Sequence, residues 1–187
     1  MAVHVLLREL INFNTVVIWG VGTFAGLAYS LPPFKLAWRG WSEVVNASLI
    51  GILLPLYGFS VQTGTFDWKI VIGCFPFALL IFILILSTNW ADREADRSVG
   101  KWTLSARLNR RHLRRMYYIA ALLGFGIQPF LIGWALPTEV VLSSIPAIPI
   151  VAWAASRYTR ILSPFPTVLA MLVLLPLQTY AWVLAGS

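Results

Sequence analysis

Apolar residues run through this chain in long blocks separated by short polar links. The first block spans about Ile11 to Tyr29, the second about Val44 to Val61 and the third about Ile70 to Ser87. After a strongly charged stretch, a fourth runs from about Tyr117 to Leu136, a fifth from about Val140 to Ala155 and a sixth from about Pro164 to Ala185. Most approach the ~20 residues that an α-helix needs to cross the hydrocarbon core of a bilayer. The pattern predicts an all-α fold, a polytopic membrane helical bundle of about six transmembrane helices in one domain over residues 1–187. Pro129, Pro146, Pro149 and Pro176 predict kinks rather than breaks, because neighbouring helices re-satisfy the freed backbone groups. Gly22 and Gly26 form a small-xxx-small pair suited to close helix packing. Pro32 and Pro33 stop the first helix and stiffen the loop after it.

Composition agrees with this reading. Apolar residues make up 59% of the chain and charged residues 11%, against roughly 25% charged in a typical soluble protein. The net charge of +7 is read as cationic loops facing an anionic leaflet. No soluble basic domain is present to carry nucleic-acid contacts. Cys74 is the one cysteine, which excludes a disulfide within the chain. His4 and His112 lack metal-ligand spacing.

The charges alternate by loop. The first, third and fifth loops carry Lys35 and Arg39, then a large basic cluster, then Arg157 and Arg160, whereas the second and fourth are nearly neutral. The positive-inside rule puts the charged loops in the cytoplasm of a multi-pass protein of a bacterial-type cell membrane. From Thr103 to Arg115, leucines interleave with cations, which predicts an amphipathic helix at the interface. Its Arg110, Arg111, Arg114 and Arg115 would meet lipid head groups.

The stretch from Asn89 to Arg107 holds the chemistry. On a helix, Asn89, Asp92 and Asp96 fall at i, i+3 and i+7 on one face. Asp92 and Asp96 are like charges one turn apart, which costs the helix ~0.2–0.5 kcal/mol when unpaired. Arg93 and Arg97 repeat the conflict on the adjacent face. A Mg²⁺ ion would relieve the first repulsion, since Mg²⁺ is commonly held by one or two carboxylates plus phosphates. A phosphate would relieve the second, because guanidinium forks match it. The alternative is a solvated helix with local pairs such as Glu94 to Arg97. With the charged loops on one side, Lys35, Arg39, Asp92, Asp96 and Lys101 are expected to line one cavity, a functional site by default in a membrane protein.

These residues resemble the UbiA superfamily of membrane prenyltransferases. Its second acidic motif is matched by Asn89, Asp92 and Asp96, followed by Asp-Arg-x-x-Gly-Lys-x-Thr-Leu at Asp96 to Leu104. Its Tyr-Ser-x-x-Lys-type loop is matched by Tyr29, Ser30 and Lys35, with one extra residue before the lysine. The Pro-Pro-Phe-Lys-Leu and Arg-Gly-x-x-Glu pieces, ending at Glu43, look most like the MenA branch, which prenylates dihydroxynaphthoate. Ala91 stands where that branch often carries arginine. The family has about nine spans and a further Asn-Asp-x-x-x-Asp motif without a match here. The chain is therefore expected to correspond to the last six spans, with the N-terminal spans missing or supplied by another chain.

The resemblance implies Mg²⁺-dependent transfer of a prenyl group from a polyprenyl diphosphate to an aromatic acceptor in menaquinone or phylloquinone biosynthesis. Asp92 and Asp96 would hold Mg²⁺ and, with Lys35, act as catalytic residues. Tyr29, Ser30, Arg39, Asn89, Arg93 and Lys101 would bind substrate. Tyr29, Trp38, Trp41 and Trp90 are the nearby aromatics that could face an allylic cation, or simply favour the membrane interface. Glu43 is expected to orient the Arg39 loop. Another reading is a non-catalytic fragment or subunit that binds prenyl diphosphate or pairs with another chain. On the one-motif count, the chain alone is expected to turn over slowly or not at all. A transporter would need paired charges inside the spans, and none lie between Val44 and Leu86 except Asp67 and Lys69 in the link.

Overall fold

The structure, a computed structural model, describes residues 12–186, so His4, Glu9 and the Ile11 start of the first block lie outside it. Helix α1 (Phe13–Ser30) begins at Asn12, whose side-chain oxygen accepts the Thr15 N–H, an N-cap in the usual sense. It stops before Pro32 and Pro33, which have no N–H to continue the ladder. After a short 3₁₀ turn at Leu36–Trp38, helix α2 covers Ser42–Thr63. Its middle, Leu49–Leu53, widens into a π-helical turn. Pro55 brings no N–H for the Gly51 carbonyl, and the backbone just before it takes up the change. Gly64, at φ 73°, ends α2.

Helix α3 (Trp68–Ser98) is capped by Asp67, runs 31 residues and keeps Pro76 in its interior. At ~1.5 Å per residue this is about 46 Å, longer than the ~30 Å hydrocarbon core. The third block and the acidic motif are therefore one rod, and the motif is carried on the protruding end of a span. At Gly51, α2 passes so close to α3 that a Cβ there would collide with the Ala78 Cα. The Gly22–Gly26 pair of α1 contributes less, for a Cβ at Gly22 would meet Leu53 at 3.0 Å and one at Gly26 would meet nothing within 4 Å.

Three expectations change downstream. The amphipathic segment from Thr103 to Arg115 is not one helix. Thr103 caps a four-residue helix, α4 (Leu104–Arg107), and Asn109 then caps α5 (Arg110–Gly126) by accepting the His112 N–H. The arginines are thus the first turns of the helix that carries the fourth apolar block. That block itself ends at Gly126, and a 3₁₀ turn (Gln128–Leu131) follows. The fifth block is split into α6 (Thr138–Ser143) and α7 (Ala147–Arg157). Pro129 and Pro146 thus stand at breaks, Pro149 falls in the first turn of α7, and Pro176 stays inside α8 (Phe165–Gly186). A missing N–H is tolerated in a first turn and disruptive deeper in.

The fold is all-α with several apolar helices; α2, α3 and α8 are long and apolar enough to cross a membrane. The core forms around α3, where Leu80, Ile83, Leu86 and Trp90 pack with Leu113 and Tyr117 of α5, Val151 of α7 and Leu174 of α8. Three hydroxyls inside it satisfy one another: Thr167 is 3.0 Å from Ser87 and 2.9 Å from Tyr117. Phe13, Trp19 and Phe24 of α1 are exposed.

Candidate functional site

The Asp96-to-Lys101 spacing builds a helix terminus. Gly100, at φ 76°, adopts the left-handed conformation that ends α3. The Lys101 N–H then returns to the Asp96 carbonyl at 2.8 Å and the Gly100 N–H to the Arg97 carbonyl at 3.1 Å. This is the paired bonding of a Schellman motif, and it folds Lys101 back over the last turn. Its Nζ lies 3.1 Å from Asp96 Oδ1. The other oxygen, Asp96 Oδ2, is buried and accepts no hydrogen bond. A buried acceptor without a partner carries the full cost of its lost hydration.

Asp92, one turn earlier, is exposed. Asn89, a further turn back by one face, donates from Nδ2 to Glu43 Oε1 at 2.9 Å. Glu43 is fully buried (0% exposed) in the first turn of α2. It also accepts the Leu104 N–H at 3.2 Å and the Ser105 N–H at 3.4 Å. Glu43 therefore ties together α2, α3 and α4, and binds the motif side where the sequence suggested the Arg39 loop.

The first and third loops meet. The Trp102 N–H donates to the Trp38 carbonyl at 3.0 Å, and Arg107 donates to the Arg39 carbonyl at 3.1 Å. Gly40 makes the contact feasible. Its φ is 84°, and a Cβ there would sit 2.8 Å from Arg107 Nη1 and 3.2 Å from the Trp102 carbonyl oxygen. Lys35 is exposed, with a left-handed backbone at φ 45°. Arg39 and Ser30 are exposed as well. Tyr29 is held by its hydroxyl, which accepts from Asn46 at 3.0 Å and lies 3.1 Å from Ser42, both on α2.

The arginines of the motif turn away from its carboxylates. The Arg93 guanidinium lies 4.3 Å from the centroid of the Trp90 ring, and Arg110 approaches the same ring at 5.7 Å. Trp90 is fixed by its own N–H, donated to the Ile161 carbonyl at 3.0 Å. Behind it, Tyr158 is buried, and burial pushes its phenol above the ordinary range. Arg97 donates to the Ala106 carbonyl at the end of α4, so the Glu94–Arg97 pair does not form. Among the described residues Lys101–Asp96 is the sole ion pair.

The structure thus forms two bonded pairs at this end of α3, Asp96–Lys101 and Asn89–Glu43, and brings the loop bearing Lys35 and Arg39 against the loop after α3. None of the charged motif residues lines the large cavity of about 590 Å³, which lies around the other end of α3 near Gly73, Cys74 and Gln178. Sequence reasoning missed the Asn89–Glu43 bond, the Tyr29–Asn46 bond and the sharing of Trp90 by Arg93 and Arg110. Glu43 and Asn46, one turn apart at the edge of an apolar block, were the available signal.

Residues 1–163 match the UbiA prenyltransferase family. The chain belongs to this family. Among curated UbiA-type relatives it is similar to 1,4-dihydroxy-2-naphthoate octaprenyltransferase of Bacillus subtilis (strain 168), 28% identical over 85 residues, 46% of this chain and 27% of that protein. It is also similar to 2-carboxy-1,4-naphthoquinone phytyltransferase of Synechocystis sp., 26% identical over 89 residues, 48% of this chain and 29% of that protein. The matched stretch is thus less than a third of either relative's length. No solved structure matches the chain.

Proposed function

We propose that this chain serves Mg²⁺-dependent transfer of a prenyl group from a polyprenyl diphosphate to an aromatic acceptor of the naphthoate type, in a quinone pathway like that of MenA. Family membership supports the reaction class, and the names of the two relatives support the acceptor class. The observation that carries the reading is the unmatched Asp96 Oδ2, a buried anionic oxygen one helical turn from a second carboxylate. Two carboxylates suffice for an ion that completes its shell with water and substrate phosphate.

Asp92 and Asp96 would hold Mg²⁺, with the Asn89 oxygen beside them, and the bound ion would neutralise the charge that grows on the departing diphosphate. The residues of this chain would do the rest. Lys101 and Lys35 offer ammonium groups, and Arg39 a guanidinium group, to the diphosphate oxygens, and Arg93 would join them by leaving the face of Trp90. Tyr29 and Ser30 contribute hydroxyls at the end of α1. Exposed Trp38 and Trp41, in the loop between α1 and α2, present aromatic faces suited to an allylic cation. The motif loops would face the cytoplasm, from a bundle of about six spans.

The test is calorimetric titration of farnesyl diphosphate with and without Mg²⁺. Binding should require Mg²⁺ and should be lost in Asp92→Ala and Asp96→Ala. Unchanged binding in both variants would remove the metal assignment. A second reading is favoured by one fact: among the described residues no group of three or more His, Cys, Asp or Glu is placed to hold a metal. In that reading the chain binds the donor, or pairs with another chain, without turning it over. A transfer assay in membranes with radiolabelled donor and dihydroxynaphthoate separates the two, since turnover near ~1 s⁻¹ is characteristic of an enzyme.

A further inference from the structure

Glu43 is a fully buried carboxylate without a counter-charge in contact. The one ion pair among the described residues, Lys101–Asp96, does not include it. A buried charge is expensive unless hydrogen bonds replace its hydration. Here three N–H donors do so: Asn89 Nδ2 at 2.9 Å, the Leu104 amide at 3.2 Å and the Ser105 amide at 3.4 Å. Two of these are backbone and fixed. The third belongs to a side chain that can present either of its ends.

A carboxylate only accepts hydrogen bonds, so the Asn89 amide must turn its nitrogen to Glu43. Its oxygen is thereby the end left for the motif helix, one turn before Asp92 and two before Asp96. Without Glu43, that amide has no reason to choose. An NH₂ group in the same place would repel a cation rather than bind one.

We propose that Glu43 is a positioning residue for the acidic motif: it orients the Asn89 amide so that Oδ1 joins Asp92 and Asp96 in holding Mg²⁺-diphosphate. This rests on the function proposed above. The same carboxylate pins Leu104 and Ser105, and so anchors the segment that follows the Asp96–Lys101 turn. Glu43 reaches no substrate itself. It acts through Asn89, as hydrogen-bonding partners of metal ligands do elsewhere, and such partners are typically worth about 10–100-fold in affinity.

The test uses the full chain in detergent, farnesyl diphosphate and Mg²⁺, with calorimetry and thermal unfolding measured together. In Glu43→Gln the one amide oxygen keeps the shorter of the two backbone bonds, that from Leu104, and the NH₂ takes the place of the oxygen that Ser105 and Asn89 share, so the Ser105 N–H loses its acceptor and Asn89 must rotate to accept. The expected result is a fall of about 10–100-fold in Mg²⁺-dependent affinity. The double variant Glu43→Gln/Asn89→Asp lets the glutamine donate to one aspartate oxygen and frees the other. It should recover most of the lost affinity, a recovery that a purely structural role would not produce. Asn89→Ala, with Glu43 intact, should lose as much affinity as Glu43→Gln, and it keeps the question answerable if Glu43→Gln alone does not fold. Wild-type affinity in Glu43→Gln or in Asn89→Ala would overturn the proposal, as would a folded double variant without recovery. Absence of Mg²⁺-dependent binding in the wild-type chain would overturn the proposed function, and this inference with it.

Discussion

The two ends of α3 are held by different physics. At the Asn89–Lys101 end, position is set by directional bonds. Glu43 collects three donors, Lys101 returns to Asp96 twice, and beside Gly40 the first loop accepts the Trp102 N–H at Trp38 and the Arg107 guanidinium at Arg39. At the Trp68–Phe77 end, the protein forms a half-open cavity of about 590 Å³ lined by Gly58, Gly73, Cys74, Phe77 and Trp182, with Gln62, Gln128, Gln178 and Thr179 as its polar members. Glycines and apolar side chains shape that space, and three of its polar side chains are already committed: Gln178 donates to Ser144 at 2.9 Å, Gln128 to the Gly124 carbonyl at 2.7 Å and Thr179 to the Leu175 carbonyl at 2.8 Å. The contrast teaches where chemistry and where shape reside. A charge-bearing site needs every donor assigned, because an unmatched buried polar group costs more than a matched one gains. An apolar cavity needs only that backbone or small side chains leave room.

The largest expected effect separates the two ends by function. Asp96→Ala should lower prenyl transfer by about 10²–10³, some 2.7–4 kcal/mol, the usual cost of removing an electrostatic contact to a developing charge. Cys74→Ala, on the cavity wall, should leave donor head-group binding unchanged. The radiolabelled transfer assay, run beside calorimetry, measures both. Equal losses from the two substitutions would erase the distinction between the ends.

Next in size is a substitution that attacks the bonded end through its backbone. Gly40→Ala should destabilise the protein by about 1–3 kcal/mol. A non-glycine residue at positive φ is strained by roughly that amount, and the new methyl group would also press on Arg107 and the Trp102 carbonyl. Thermal unfolding in detergent reports the loss. An unchanged midpoint would mean that the loops are not locked across this glycine.

What could be read in the sequence follows the same division. The apolar blocks announced α2, α3 and α8, because a span needs only length and composition. The charged helix end at Asp96–Gly100–Lys101 has its partners within about one turn, so a glycine closing the helical run was a local signal for it. The Asn89–Glu43 bond joins residues 46 apart and leaves no local pattern. The Gly51–Ala78 crossing is equally silent, whereas the more conspicuous Gly22–Gly26 pair packs closely at one of its two positions. Averaged hydropathy also hid the real boundaries in the second half. Asn109 is a single polar residue, yet it caps α5 and assigns four arginines to that helix. Pro129 and Pro146 end segments that look continuous by composition.

A smaller effect is expected within the bonded end itself, at the Trp90 ring shared by Arg93 and Arg110. Trp90→Phe keeps an aromatic face but deletes the N–H that reaches the Ile161 carbonyl. The loss should be about 1 kcal/mol in stability, from one net hydrogen bond and a weaker cation–π contact. Equilibrium unfolding of the variant measures it, and a cost above about 3 kcal/mol would show that Trp90 fills the core more than it orients the arginines.

The smallest expected effect has the opposite sign and belongs to the cavity end. Gly58 lies inside α2 and lines the cavity, and a Cβ built on it meets nothing within 4 Å. A glycine inside a helix costs about 0.5–1 kcal/mol relative to alanine, because its unfolded backbone has more freedom to lose. Gly58→Ala should therefore stabilise the protein by about that amount, since the methyl group enters open space and displaces no neighbour. The contrast with Gly40 is then one of sign as well as size: a methyl group breaks the end that is bonded and strengthens the end that is merely shaped. Thermal unfolding of Gly58→Ala beside Gly40→Ala measures both on one scale. A loss of stability at Gly58 would mean that something occupies the cavity beside α2, and that this end too is more closely specified than its geometry indicates.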